Sequence, residues 1–330
     1  MKHLFLVLAL ALCPHAAAAA CAGSNLLETL EGDQLAEINA AVEASPYPRG
    51  NHWRATRGDS VIDVFGTFHA YDPRFEDVMK RIAPFIETAA AVYAEATEEE
   101  LGQLQSEMSR NPALFMIGPG EPTLPERLPE AEWQRLKDEL SARGLPPFIA
   151  SKFQSWYVMM MLGIPPCAMT DLASGAEGLD KMILERADAA GVPTEALEPY
   201  DTLFRVFGTL KDEDDLGLIR AAIAMTDRSE DMYHTLTESY FSQDHRAIWE
   251  LSRVVGRNIP GLTAEQADAD FAKMEEILLT SRNRAWIDVI LPAAEGRRIV
   301  VAVGAAHLSG RDGVLNLLAQ KGYALEPAPF

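Results

Sequence analysis

Val61-Ile-Asp-Val-Phe-Gly-Thr-Phe-His69 and, near the other end, Arg298-Ile-Val-Val-Ala-Val-Gly-Ala-Ala-His307 decide how this chain is read. Each is a run of branched and aromatic residues that ends in Gly-x-x-His. Such residues pack on both faces of a buried strand. Gly66 and Gly304 remove the β-carbon where the chain must bend or something must approach the backbone. The imidazole then stands just past the strand's carboxyl end, where open α/β sheets place their ligand sites. One histidine in that position reads more readily as a satisfied structural residue than as a ligand. The same device after the first and last core strands points to two imidazoles converging on one site.

Outward from these runs, Trp53-Arg-Ala-Thr reads as a strand and Arg57-Gly-Asp-Ser60 as a tight turn, giving an early β-hairpin. Asp72-Pro73 caps a helix containing Phe75, Val78, Met79, Ile82 and Ile86. Ala89 to Ala96 is a second strand that ends at Glu95, and this strand–helix–strand unit predicts a parallel pair. Pro193 to Glu198 is a third, short strand. Residues 22–45 read as one or two short helices. From Glu98 to about 281 the pattern is helical, with Pro-rich joints at 119–129 and 144–147 and turns at 211–217 and 256–263. Within it, 175–190 is one helix, and apolar Ser155 to Leu162 is a buried helix too short for a membrane. Ser281 opens another helix, Val314 to Ala319 is helical, and Lys321 to Glu326 closes the sheet. The expected fold class is α/β (α+β). A central mixed sheet is built from both chain ends, with a large helical insertion at about 98–281, in a single domain over 21–330.

The amino terminus has the order of a secretory signal. Met1-Lys2-His3 is basic, Leu4 to Leu12 is apolar, and Ala16 to Ala20 is small. Cleavage after Ala20 leaves Cys21 first, but Ala18 stands where a lipoprotein signal has Leu, so the expectation is a periplasmic or secreted protein. Of three cysteines, Cys13 leaves with the signal. Cys21 and Cys167 form one pair in an oxidising compartment and are expected to be bridged. The formal charge of −20 argues against nucleic acid or anionic lipid as partners. The acidic runs Glu98 to Glu100 and Asp212 to Asp215 lack calcium-loop spacing and read as solvated faces.

Glu95 and Glu198 end the second and third strands as His69 ends the first. With parallel strands, these carboxylates rise on the same rim as His69 and His307. Two imidazoles and a carboxylate suit a divalent metal such as Zn, Mn or Co, and the remaining carboxylate suits a general base. The competing reading of each glutamate is a cap for the following helix. Arg282 and Asn283 are either an exposed helix start with Trp286 beneath, or a fork of donors for a carboxylate or oxyanion. Asp180 caps its helix or orients a histidine. His52, His234 and His245 have no companions at ligand spacing and read as structural or surface residues. Gly-x-Ser-x-Gly, a phosphate loop and His-Glu-x-x-His are all missing from the sequence.

Phe65-Gly-Thr-Phe-His69 with Asp72-Pro73, the strand ending at Glu95, Gly178-Leu-Asp180, Leu197-Glu198, Ser281-Arg-Asn283 and Val303-Gly-Ala-Ala-His307 together resemble the TraB/GumN family. Gly313 and Gly322-Tyr323 extend the match. The resemblance implies a fold like that of the erythromycin-esterase and ChaN-like group. Its animal Tiki members are metal-dependent, membrane-tethered proteases acting on Wnt. It also implies His69, His307 and Glu95 as the site. Ala96-Thr97 departs from the Leu-Asp that usually follows the glutamate, and a carboxyl-terminal anchor like Tiki's is not seen. The function expected is a secreted metal-dependent hydrolase, a peptidase acting on a peptide or other small substrate. The alternative is a non-catalytic periplasmic binding or regulatory protein; haem capture by the histidines and Met159-Met-Met161 is a third reading.

Overall fold

The computed structural model describes residues 21–208, 215–259 and 261–330. The expected signal peptide lies outside them, as do residues 212–214 of the second acidic run. Six strands form one sheet: β1 (His52–Arg57), β2 (Ser60–Thr67), β3 (Val92–Ala94), β4 (Thr194–Ala196), β5 (Arg298–Gly304) and β6 (Ala324–Pro327). Their order is β4-β3-β5-β2-β1-β6. β4, β3, β5 and β2 are parallel, while β1 is antiparallel to both β2 and β6. The expected mixed sheet drawn from both chain ends is present.

β5 is the centre of the molecule, and alternation along it sorts its side chains into two cores. Val300 and Ala302 join Phe65 and Val92 under the helices Phe75–Glu87 and Leu179–Ala189. Ile299, Val301 and Val303 join Ile62 and Val64 under the helices Ser281–Ala294 and Val314–Gln320. The result is a helix–sheet–helix sandwich in which β5 is covered on both sides.

Two local expectations are corrected. β3 spans only Val92–Ala94, and it pairs with β5 and β4, not with β2. The β2–helix–β3 unit leaves a gap one strand wide, which β5 fills from the far end of the chain. Second, Ser281 does not open a separate helix. A π-helical turn at Glu276–Thr280 joins the helix Ala264–Glu275 directly to Ser281–Ala294.

The insertion has its own core, built on Leu124, Trp133, Leu136, Phe153 and Val158. The amino-terminal helices pack on the helix His245–Gly256 through Ile38, Val42 and Leu251. Cys21 and Cys167 are bridged, with 5.3 Å between their α-carbons. Among the described residues, no helix is long and apolar enough to cross a membrane.

Candidate active site at the carboxyl edge of the sheet

Because β2, β5, β3 and β4 run the same way, their carboxyl ends share one edge. His69, His307, Glu95 and Glu198 all follow those ends. Gly304 marks the middle of the group. A β-carbon there would stand 3.3 Å from Glu95 Oε1, 3.4 Å from His69 Nε2 and 3.7 Å from His307 Cδ2. The two imidazoles and the carboxylate are therefore neighbours around a residue without a side chain. Gly66 has a different task. Its missing β-carbon admits Leu308 Cδ1 at 2.7 Å and Ala305 at 3.1 Å, which lets the turn carrying His307 lie against β2.

Arg282 ties the carboxylates together. Its Nε and Nη2 donate to the two oxygens of Glu198 at 2.9 and 2.6 Å, and Nη2 also donates to Glu95 Oε2 at 2.7 Å. Nη1 donates to the Leu278 carbonyl at 3.1 Å, a group inside the π-helical turn. Such turns change the helical register by a residue. Here the turn immediately precedes Arg282 and Asn283. Glu95 Oε1 accepts the Gly304 N–H at 2.7 Å.

The two histidines are held in opposite states. His307 is buried, and its Nδ1 faces Asn283 Oδ1 at 2.6 Å while the Asn283 amide donates to the Asp312 carbonyl at 2.9 Å. That amide orientation assigns the imidazole proton to Nδ1 and the lone pair to Nε2. Nε2 lies 3.7 Å from Glu95 Oε1 and 3.4 Å from Arg282 Nη1. Burial lowers the His307 pKa from 6.5 to about 3, with Arg282 and His69 adding to the shift and Glu95 opposing it. His69 is 65 % exposed, and its Nδ1 stands 3.4 Å from Asp180 Oδ2. Asp180 and Glu95 raise its pKa above 6.5, a shift that solvent around the exposed ring moderates. Burial would raise the Glu95 pKa, but Arg282, the Gly304 N–H and His69 hold it below the usual carboxylate range; His307, neutral in that range, adds nothing to this.

Arg282 and Asn283, read in sequence as one fork of donors, thus separate. Arg282 binds carboxylates, and Asn283, 2 % exposed, fixes a histidine. Asp180 stands to His69 as Asn283 stands to His307. Two residues to which the sequence reading gave no role in the site, Trp286 and Gly178, also shape it. The Trp286 indole donates to Glu198 Oε2 at 3.0 Å, and its ring lies 4.4 Å from that of His307. Gly178 packs its α-carbon on the backbone carrying His69: a β-carbon there would meet the Phe68 and His69 carbonyl groups at 2.4–2.5 Å. A tryptophan one helical turn beyond Arg282 was the available signal for the first, and the Gly178-Leu-Asp180 block for the second.

Two cavities share His69 as part of their walls. One, of about 470 Å³, is mostly apolar and also reaches His307. The other, of about 400 Å³, is lined by Glu95, Glu100, Asp180, Glu198 and Arg282. Thr67 and His69 line both.

In kind, the donors fit a divalent ion: a tautomer-fixed imidazole, a second imidazole oriented by a carboxylate, and an ionised glutamate. As placed, with Arg282 on Glu95, no three His, Cys, Asp or Glu side chains among the described residues enclose an ion position. An ion there would share Glu95 with that guanidinium.

No curated protein matches the chain closely enough to name as a relative. The sequence profile of one family does match, over residues 51–327, a span that begins just before β1 and ends with β6. It takes in both Gly-x-x-His turns, both glutamates and the Arg282-Asn283 pair. The protein belongs to the TraB/PrgY/gumN family.

Proposed function

We propose that the protein is a metal-dependent hydrolase, most simply a secreted peptidase, with His69, Glu95 and His307 as donors to Mn, Co or Zn. The observation that carries this reading is the meeting of two oriented imidazoles and an ionised glutamate around Gly304, with two cavities that share His69 as part of their walls. An extended substrate needs room on both sides of the bond that is cut. When bound, such an ion would supply a Lewis acid for the scissile carbonyl.

The chain's own residues supply the rest. Asn283 keeps the proton of His307 on Nδ1 and leaves the Nε2 lone pair facing the site. Asp180 turns His69 so that its Nε2 faces Gly304. Glu198 and Trp286 brace Arg282. Its guanidinium supplies a fixed positive charge at the site, of the kind that stabilises negative charge developing on a carbonyl oxygen. Glu95 stays ionised through the neutral range and balances Arg282.

The test is hydrolysis of a peptide pool by wild type, Glu95→Gln and His69→Ala, each reloaded with manganese, cobalt or zinc. Losing the charge of Glu95 as a metal donor should reduce turnover by at least about 10–100-fold, the usual effect of losing a group that merely orients a ligand. Equal activity in all three proteins would defeat the reading. The rival, a binding or regulatory protein, draws on the closed Glu198–Arg282–Glu95 ion pairs, a set that recognises charge without needing turnover. Peptide affinity that changes in the variants, with no cleavage by any of them, would establish it.

A further inference from the structure

The larger cavity has walls of a distinct kind. Phe68, Tyr71, Tyr233 and Tyr240 contribute aromatic surface, and Ile164, Pro165 and Leu236 contribute aliphatic surface. Its volume of about 470 Å³ lies within the range of small-ligand pockets. His69 and His307 form the end that belongs to the site already described. Among these walls is a second buried imidazole, His245, which is 3 % exposed. Neither of its ring nitrogens makes a hydrogen bond of ordinary geometry within the chain, although one approaches the Gly50 backbone. Burial lowers its pKa to about 4, so in the neutral range it has one nitrogen to donate and one to accept. A buried polar group left without a partner is costly, and folds rarely keep one without a use for it.

We propose that this cavity is the substrate-selecting pocket, and that it takes a large aromatic side chain with a hydrogen-bonding group, tyrosine above all, whose hydroxyl pairs with His245. The proposal rests on the hydrolase reading only for the word substrate; the pocket and its ligand class stand on the geometry. An aromatic ring meets aromatic and aliphatic walls, and its phenol gives His245 a hydrogen bond of ordinary geometry, which the chain itself does not supply. Phenylalanine fills the same walls and leaves His245 bare. An acidic side chain meets the carboxylate of Asp171, which also lines the cavity. A site built to bond a hydroxyl discriminates against the analogue that lacks it.

The test uses the full chain and four small probes, N-acetyl-tyrosinamide, N-acetyl-phenylalaninamide, N-acetyl-leucinamide and N-acetyl-glutamic acid amide, titrated by NMR. Wild type should bind the tyrosine probe about three- to tenfold more tightly than the phenylalanine probe, as one hydrogen bond between neutral groups allows. The glutamic acid probe should bind weakest. His245→Leu should level tyrosine and phenylalanine. Ala176→Phe, which narrows the cavity from a partly exposed wall, should weaken both aromatic probes at least about tenfold; it decides the matter if His245→Leu does not fold. Equal binding of tyrosine and phenylalanine by wild type, a preference that survives His245→Leu, binding unchanged in Ala176→Phe, or no binding of any probe would each overturn the proposal. If the probes behave as stated and no peptide is cut, the pocket stands and the hydrolase reading fails. If peptides are cut with no preference for tyrosine, the reverse holds.

Discussion

Asn283 has one amide and uses both ends of it: the oxygen on His307 and the nitrogen on a backbone carbonyl. Removing that amide frees the His307 ring to change tautomer and to turn. Asn283→Ala should therefore lower activity or metal affinity by about 10–100-fold, the usual effect of losing a group that orients a ligand. Asn283→Asp should recover part of it, because a carboxylate accepts from Nδ1 in the same way; kcat and metal titration of the two variants check this. His245 makes a different prediction. Its folded pKa of about 4 lies below the 6.5 of the unfolded ring. The unfolded state therefore binds the proton first as pH falls. Stability from this residue is complete above pH 6.5 and is lost between 6.5 and 4, by on the order of 3 kcal/mol if the whole shift is expressed. Thermal unfolding at pH 7.5 and 4.5 should show a smaller loss in His245→Leu than in wild type.

The strand ends were legible because a buried parallel strand needs a dense branched run, and Val61 to Thr67 and Arg298 to Gly304 stand out against a helical background. Strand order was not, since nothing local tells β2 that its parallel neighbour is β5 and not β3. The same limit explains the site. His69, Glu95, Glu198 and His307 are visible as strand-end residues, whereas Trp286 and His245 look like ordinary helix residues until the helices are packed. The π-helical turn at Glu276–Thr280 has no signature in its sequence, yet it leads straight into Arg282. One prediction belongs at this scale. The helix Leu179–Ala189 is docked on the His69 loop by the Leu179 N–H, which donates to the Phe68 carbonyl at 2.9 Å, and by the bare α-carbon of Gly178. Gly178→Ala puts a methyl group against backbone that has nowhere to go, so helix and loop must part. Such overpacking costs about 1–3 kcal/mol. Activity should fall more than the melting temperature suggests, because His69 moves with the loop; parallel measurement of both decides it.

At the scale of the whole molecule, two long-range links define the fold: the Cys21–Cys167 bridge and the pairing of β2 with β5. The bridge fixes Cys21, just before the first helix, to the segment that supplies Ile164, Pro165 and Ala168 to the larger cavity. In the chain-entropy model, closing so long a loop contributes about 4–5 kcal/mol. Reduced protein should melt several degrees lower and lose affinity for whatever occupies that cavity, while thiol labelling of denatured, unreduced protein should find neither cysteine free. The second link has a consequence for timing. A ribosome finishes β2 and β3 early and makes β5 near the end, so a growing chain carries His69 and Glu95 long before it has His307 or the strand that spaces them. Every shorter intermediate lacks His307 and Gly304, the residues that close the candidate site. Whatever this edge does, it is assembled only when the last strands slot home, so completing the fold and completing the site are one event.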